Sequence, residues 1–310
     1  MPELPEVETI KRQLRDRIVG KEIIDIEVRK QRLFQGKVSD VVDVKIVDVR
    51  RRAKMLVIDL KKKNNIVRAR RSDYRQDREL LHRTSSESKD SMHLLFHLKM
   101  SGQVIYRNKD GKFGGGHPIP KFDTQFPGKM THVIFTLDDK SHIYFNEQRQ
   151  FGWVKVLDDV GLKKEFSKYG IEPLSDKFTY IKFKKLLLKR KRSKIKPVLM
   201  DQKLIAGIGN IYASEVCFLA GVNPDRIVGS LKNEEFKKVY NSIRKILPIA
   251  IKYQGTSMDL YVNASGEQGK YEKYLQVYGR AGEKCLRCGG IIKKIKQSGR
   301  GTYYCPACQS

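Results

Sequence analysis

Leu4, Val7, Ile10, Leu14 and Ile18 recur at spacings of three and four, which lines them along one face of a helix. Gly20 marks its end. The period then changes. Eight short runs, EIIDIEV, DVKIVDV, KMLVIDL, HLLFHLKM, GQVIYR, HVIFTL, HIYFNE and FGWVKVL, are rich in β-branched and aromatic residues, and signals such as DGK, PGK and DDK separate several of them. So many short strands predict an antiparallel β-sandwich or barrel behind the first helix. Two stretches interrupt the pattern. Residues 61–91, highly charged and ending in a Ser-rich tract, read as an exposed, partly disordered insertion between strands. Residues 110–130, rich in Gly and Pro, read as a long loop. After about residue 160 the pattern is helical. KEFSKYGIEPLSDKF reads as a linker, and Phe236, Val239, Tyr240, Ile243 and Leu247 form the stripe of a later helix. No internal repeat is evident.

Charge narrows the class of partner. The chain has 63 Lys+Arg against 35 Asp+Glu, a formal charge of +28. Nine basic residues and no acid lie between Lys182 and Lys196. Such an excess attracts polyanions, of which nucleic acid is the commonest in a cell. Ribosomal and membrane-surface proteins are also basic, so charge alone does not choose. No run of 18 apolar residues exists, so no membrane helix is expected. The first 20 residues lack the apolar stretch of a signal peptide. The expected location is the cytoplasm, or the nucleoid within it. At 310 residues the chain has room for two domains and a small third module.

The cysteines supply that module. Cys285, Cys288, Cys305 and Cys308 form two CxxC pairs in the last 26 residues, the spacing of one structural zinc ion held by four thiolates. The fifth, Cys217, sits in an apolar run and reads as a buried structural thiol. Between the CxxC pairs, a hairpin turn SGRG puts Arg300 at its tip, a position suited to a phosphate or a groove. Upstream, AGIGN at 206–210 is a tight turn between helices. Gly207 and Gly209 permit close approach, the next helix N-terminus offers free N–H groups to a phosphate oxygen, and Asn210 can add its amide. Met100 in HLKMSG, and Arg149 and Phe151 in NEQRQFG, fall just past strands. Met100 and Phe151 read either as core residues or as a wedge that enters a base stack.

MPELPEVE, RRAKMLVIDL, HLKMSG, RQFG, DQKLIAGIGNIYASE, QVYGRAGEKCLRCG and GRGTYYCPACQ together resemble the bacterial formamidopyrimidine-DNA glycosylase family, sibling of endonuclease VIII. PELPE points to the first branch. The resemblance implies an α+β fold: an N-terminal helix with a two-layer antiparallel β-sandwich (1–160, with the insertion at 61–91), a linker (161–178), a helix-two-turn-helix domain (179–282) and a zinc ribbon hairpin (283–310). It implies a monomeric enzyme acting on double-stranded DNA with damaged bases or abasic sites. Pro2, freed of Met1, would be the nucleophile. Glu3 would be the acid that opens the sugar, and Glu6 would support the helix start. Lys54, Asn210 and Arg300 would hold phosphates, and His97 and His132 would lie near the DNA backbone. Met100, Arg149 and Phe151 would fill the gap left by an extruded nucleotide, and residues 255–271 would cover the flipped base.

Two positions depart from the family pattern: Gln150 stands where it has a second Arg, and Lys99 replaces a Gly. The expected reaction is base excision, directed to oxidised purines, with strand cleavage by β,δ-elimination through one covalent intermediate. An endonuclease VIII-like preference for oxidised pyrimidines, or a non-catalytic damage-binding protein on the same scaffold, are the alternatives. The N-terminus argues against the last, since a binding protein has no use for a free amine beside a carboxyl.

Overall fold

The structure, a computed structural model, describes residues 2–62, 91–109, 111–116, 126–256 and 269–310. The expected insertion and the loop over the base fall largely outside them. Helix α1 (Leu4–Ile18) is followed by strands β1 (Glu22–Val28), β2 (Phe34–Gln35), β3 (Val44–Arg52), β4 (Met55–Lys62), β5 (Ser91–His97), β6 (Gly102–Asn108), β7 (Gly111–Gly116), β8 (Thr131–Leu137), β9 (His142–Glu147) and β10 (Trp153–Asp158). All eight predicted runs are strands. The Gly/Pro-rich stretch is not loop throughout, because its first residues form β7, paired with β6 from Gln103↔Gly116 to Asn108↔Gly111. Glycines there weakened the strand signal without preventing backbone pairing.

Among the described residues the ten strands form one ladder in the order β2-β10-β5-β4-β3-β1-β8-β9-β6-β7. Strand β1 joins its halves, meeting β3 only at Glu22 and Ile23 and β8 from Ile23 to Val28, with a register shift between Ile23 and Asp25. The shift lets the halves fold over one another. Phe96 of β5 then meets Phe135 and Phe145 of the opposite half at centroid distances of 5.8 and 6.0 Å. The result is a two-layer sandwich. Val7, Ile10, Leu14 and Ile18 of α1 are buried in the same core.

The C-terminal half contains α2 (Asp159–Phe166), α3 (Tyr180–Leu188), α4 (Ile195–Leu199), α5 (Asn210–Ala220) and α6 (Asn233–Lys252), then the hairpin β11 (Lys293–Gln297) and β12 (Arg300–Tyr304). Phe236, Val239, Ile243 and Leu247 of α6 pack on Ile211, Val216 and Cys217 of α5 in a second core, which also takes Leu4. Helix α1 therefore bridges the two bodies, with its first turn on the helical side. The approach is close. Leu4 N donates to Gly207 O at 3.0 Å, and a Cβ on Gly207 (φ +93°) would lie 2.7 Å from the Leu4 side chain.

One buried polar cluster fastens α2 to the sheet. His93 Nδ1 meets Asp59 Oδ1 at 2.6 Å and its Nε2 meets Asp159 Oδ1 at 3.0 Å, while Arg50 pairs with both oxygens of Asp59. Burial alone would lower the His93 pKa, but the two carboxylates outweigh it and raise it. A raised folded-state pKa stabilises fully below the unfolded value near 6.5 and is lost as pH rises through the folded value. His93→Gln should therefore melt lower than wild type by an amount worth about 1–3 kcal/mol near pH 5.5. The gap should narrow at alkaline pH. Thermal melts across pH check this, and a gap that widens with pH would refute a charged His93.

Candidate active site

The N-terminus is wired into the start of α5. Glu3 is buried, and its two oxygens accept the N–H groups of Gly209 at 2.6 Å and Ile211 at 2.9 Å. Free N–H groups and the positive end of the dipole make this an anion site. The group it holds is the chain's own Glu3 carboxyl, rather than the phosphate expected from the turn. Lys54, from the β3–β4 turn, reaches the same point: a Cβ on Gly209 would lie 2.4 Å from Glu3 Oε1 and 2.6 Å from Lys54 Nζ. Only glycine fits there. Burial lowers the Lys54 pKa, and Arg300 lowers it further, against the pull of Glu3 and Glu6. Glu6, one turn into α1, accepts the Glu3 N–H at 2.8 Å, Tyr212 Oη at 2.6 Å and Thr256 N–H at 2.9 Å. Burial, then Glu3, raises its pKa. Pro2 is buried beside this network.

The residues on either side of segment 257–268 meet beside Glu6. Gly255 (φ +79°) lies against it, and Tyr271 N donates to Gly255 O at 3.0 Å.

The hairpin closes the other side. Ser298 and Gly299 both have positive φ (47° and 76°), a two-residue turn that sets Arg300 opposite Gln297. Asn210 Nδ2 donates to Gly301 O at 3.1 Å, so its amide is engaged with the hairpin. Sequence reading passed over Lys196, which is 1 % exposed. Its ammonium donates to Asn210 Oδ1 at 2.5 Å and Thr302 Oγ1 at 2.8 Å. Burial pulls it down to about 8. The signal was present: Lys196 lies among Ile195, Val198 and Leu199, all on the buried side of α4.

Met100, Arg149 and Phe151 come together on the surface of the sandwich. Met100 and Phe151 are 44 % and 56 % exposed, which excludes the core reading. Arg149 Nη1 lies 3.5 Å from Met100 Sδ, and its guanidinium sits 5.3 Å from the Phe151 ring centre. Glu147, fully buried and overlooked in the sequence, fastens both loops: it accepts Ser101 Oγ, Arg149 N–H at 3.1 Å and Gly152 N–H at 2.8 Å. His132 Nε2 donates to Glu147 O at 2.8 Å, so His132 supports this corner from within. His97 is buried beside Trp153 and accepts the Lys99 N–H on Nδ1 at 3.0 Å. Burial, then Lys99 and Lys54, pushes its pKa down to about 3. It is neutral, with its proton on Nε2. Gln150 accepts a hydrogen bond from Arg32, which supplies a guanidinium beside the position of the missing second arginine.

The four tail cysteines converge with all sulfurs within 4.8 Å of one another. Cys285–Cys308 and Cys288–Cys305 are separated by 3.9 and 3.5 Å. Thiolates about 2.3 Å from a tetrahedral ion lie roughly 3.8 Å apart, so the set fits zinc and is too wide for disulfides. Cys217 is buried in the helical core, and burial pushes its thiol up to about 12. No helix among the described residues is long and apolar enough to cross a membrane.

Comparison with known proteins agrees along the chain. Residues 1–154 match the formamidopyrimidine-DNA glycosylase N-terminal domain, 169–262 the formamidopyrimidine-DNA glycosylase H2TH domain, and 282–310 the zinc finger found in FPG and IleRS. The formamidopyrimidine-DNA glycosylase of Carboxydothermus hydrogenoformans is 38% identical, with 100% of both chains covered. That of Rickettsia africae is 38% identical over 100% of this chain and 99% of its own. Lactococcus lactis Fpg (MutM), solved with DNA containing N7-benzyl-Fapy-dG, superimposes with a TM-score of 0.79 at 33% identity, covering 100% of both chains. The same protein with abasic-site DNA gives 0.78 at 32% identity, with 99% of both chains covered. The chain belongs to the formamidopyrimidine-DNA glycosylase family, DNA glycosylases of base excision repair.

Proposed function

We propose that the protein removes oxidised purines, 8-oxoguanine and formamidopyrimidines, from duplex DNA and then cleaves the abasic strand. The observation that carries this is the convergence of the Pro2–Glu3 terminus and Lys54 on the first turn of α5. The Pro2 nitrogen attacks C1′, the glycosidic bond breaks with its electron pair going to the departing base, and the N–H proton of the alkylated amine passes to that base, which leaves neutral. Glu3 delivers a proton to the ribose ring oxygen as the ring opens, leaving an iminium between Pro2 and C1′. The iminium acidifies C2′–H. Loss of that proton expels the 3′ phosphate, and a second elimination expels the 5′ phosphate. Lys54 and Arg300 hold the flanking phosphates, Asn210 offers them the amide hydrogen it does not give to Gly301 O, and neutral His97 donates from Nε2. Met100, Arg149 and Phe151 occupy the space the nucleotide vacates, offsetting an extrusion cost of a few kcal/mol.

The DNA-bound L. lactis relatives support a damaged or abasic duplex as substrate. Every group in this scheme comes from one chain, which supports action as a monomer with one structural zinc ion. Such a substrate puts the work in the cytoplasm, on the nucleoid.

The deciding experiment is a panel of duplexes carrying 8-oxoguanine, a formamidopyrimidine or an oxidised pyrimidine, scored separately for base release and nicking. Wild type should release the purine lesions faster and nick wherever it releases. Faster release of pyrimidines would favour the endonuclease VIII-like reading, and a relative's complex with oxidised-pyrimidine DNA makes that arm worth including. Binding without release would leave a recognition protein. In the same panel Glu3→Gln should bind but lose base release about a hundredfold or more, the usual size of a general-acid contribution. Release at the wild-type rate would remove Glu3 from the role of acid.

A further inference from the structure

We infer that Glu172 is a positioning residue for Lys54. It sits in the segment joining the two bodies, outside the catalytic cluster. Its carboxylate takes four donors from three successive residues: Arg51 Nη1 at 3.1 Å and Nη2 at 2.7 Å, Arg52 Nη1 at 2.9 Å and the Ala53 N–H at 2.5 Å. These residues lead directly into Lys54. Ala53 has φ +55°, the left-handed region that a residue with a Cβ enters reluctantly. Its N–H is the one Glu172 holds, so the carboxylate fixes the turn at its disfavoured residue. Arg52 adds bonds to Tyr169 O at 3.1 Å and Gly170 O at 2.5 Å. Arg51 extends the lattice to Glu8 of α1 at 3.1 Å.

The other side of the same segment is sewn to the helical body. Gly170 N donates to Gln202 O at 2.7 Å, Ile171 N to Leu204 O at 3.1 Å, and Ala206 N to Ile171 O at 2.9 Å. Gly170 lies so close that a Cβ would fall 2.2 Å from Leu204 O. Directly after Ala206 come Gly207, which holds Leu4, and Gly209, which holds Glu3. The segment is thus a strut between the turn that carries Lys54 and the turn that seats Glu3. Lys54 needs one. Its side chain is buried among the charges of Glu3, Arg300 and Glu6, so the place of its backbone sets how its own charge stands against theirs. Glu172 acts on the reaction through that placement and touches no reacting atom.

This inference rests on the phosphate-holding role proposed for Lys54, and a double-mutant cycle separates the two. Excision of 8-oxoguanine and the salt dependence of duplex binding are measured for wild type, Lys54→Ala, Glu172→Ala and the double variant. Glu172→Ala should slow excision roughly tenfold to a hundredfold, the effect of misplacing a group by about an ångström. It should also flatten the salt slope by about one unit, as Lys54→Ala does. The double variant should be no worse than Lys54→Ala. Losses that multiply in the double variant would overturn the strut while leaving the role of Lys54 standing. A silent Lys54→Ala would overturn both. If Glu172→Ala does not fold, Glu172→Gln enters the cycle in its place, keeping an acceptor for Ala53 while losing the charge that draws the two arginines. It should show the same non-additivity with a smaller loss.

Discussion

A preparation that keeps Met1 is expected to bind damaged duplex and leave it intact, with no adduct on borohydride reduction. With Met1 removed, Pro2 presents a secondary amine, and α-amino groups titrate near pH 8, so a useful fraction carries a free lone pair at neutral pH. With Met1 in place the same nitrogen is a tertiary amide whose lone pair is delocalised into the carbonyl, and the free amine moves one residue away to Met1, out of register with Glu3. The position is built for this atom. Glu3, next in sequence, is held through both oxygens by α5, and Glu6 holds the Glu3 N–H. The first turn of α1 therefore cannot swing away to present a different group. The loss of base release should be at least about a thousandfold, more than 4 kcal/mol in the barrier. Mass spectrometry separates the two forms of the protein before assay. A normal adduct from chains that carry Met1 would sink the terminal-amine mechanism, whereas weak binding of both forms would point instead to a damaged DNA interface.

How far the chain could be read in advance follows from how local each feature is. The α1 stripe and eight strands were legible because their periods are written within each segment, and the tail cysteines because ligand spacing is local too. The glycines of β7 hid a strand that only its partner β6 reveals. The turn at 206–210 was read as a seat for a phosphate oxygen, but in the fold its N–H groups hold the Glu3 carboxyl, 206 residues away. Glu147, Glu172 and Lys196 were missed for one shared reason. Each is a charged residue that its sequence neighbours do not single out, and each gains meaning only from donors or acceptors that the fold brings to it. Gln150 shows the converse. Read alone it removes an arginine, while in the fold it accepts one from Arg32.

Removing the metal, by chelation or by Cys308→Ala, should abolish tight binding to damaged duplex while leaving both main cores folded. The hairpin cannot stand alone. Its two five-residue strands rest on a small cluster of Phe218, Val277, Cys285, Ile292 and Cys305, and isolated hairpins are marginal in water. A zinc ion bound by four thiolates contributes on the order of 10 kcal/mol in small modules, far more than that cluster. Without it Arg300 leaves its place at the tip. The loss spreads inward, because Gly301 and Thr302 are the partners of Asn210 and Lys196. Two of the proposed phosphate contacts therefore fail together, and at about 1.5–3 kcal/mol for each charged hydrogen bond affinity should fall about a hundredfold or more. Arg300→Ala, which removes one contact and keeps the hairpin, should lose less. The tail has other anchors: Gln309 Nε2 donates to Val222 O at 2.9 Å and Ser310 N to Gly221 O at 3.2 Å. These keep the last residues near α5 in the stripped protein, so a melting curve will not decide the question and a DNA titration will. Unchanged affinity after complete metal removal would show that the body alone presents the phosphate contacts, and would confine zinc to a role in stability.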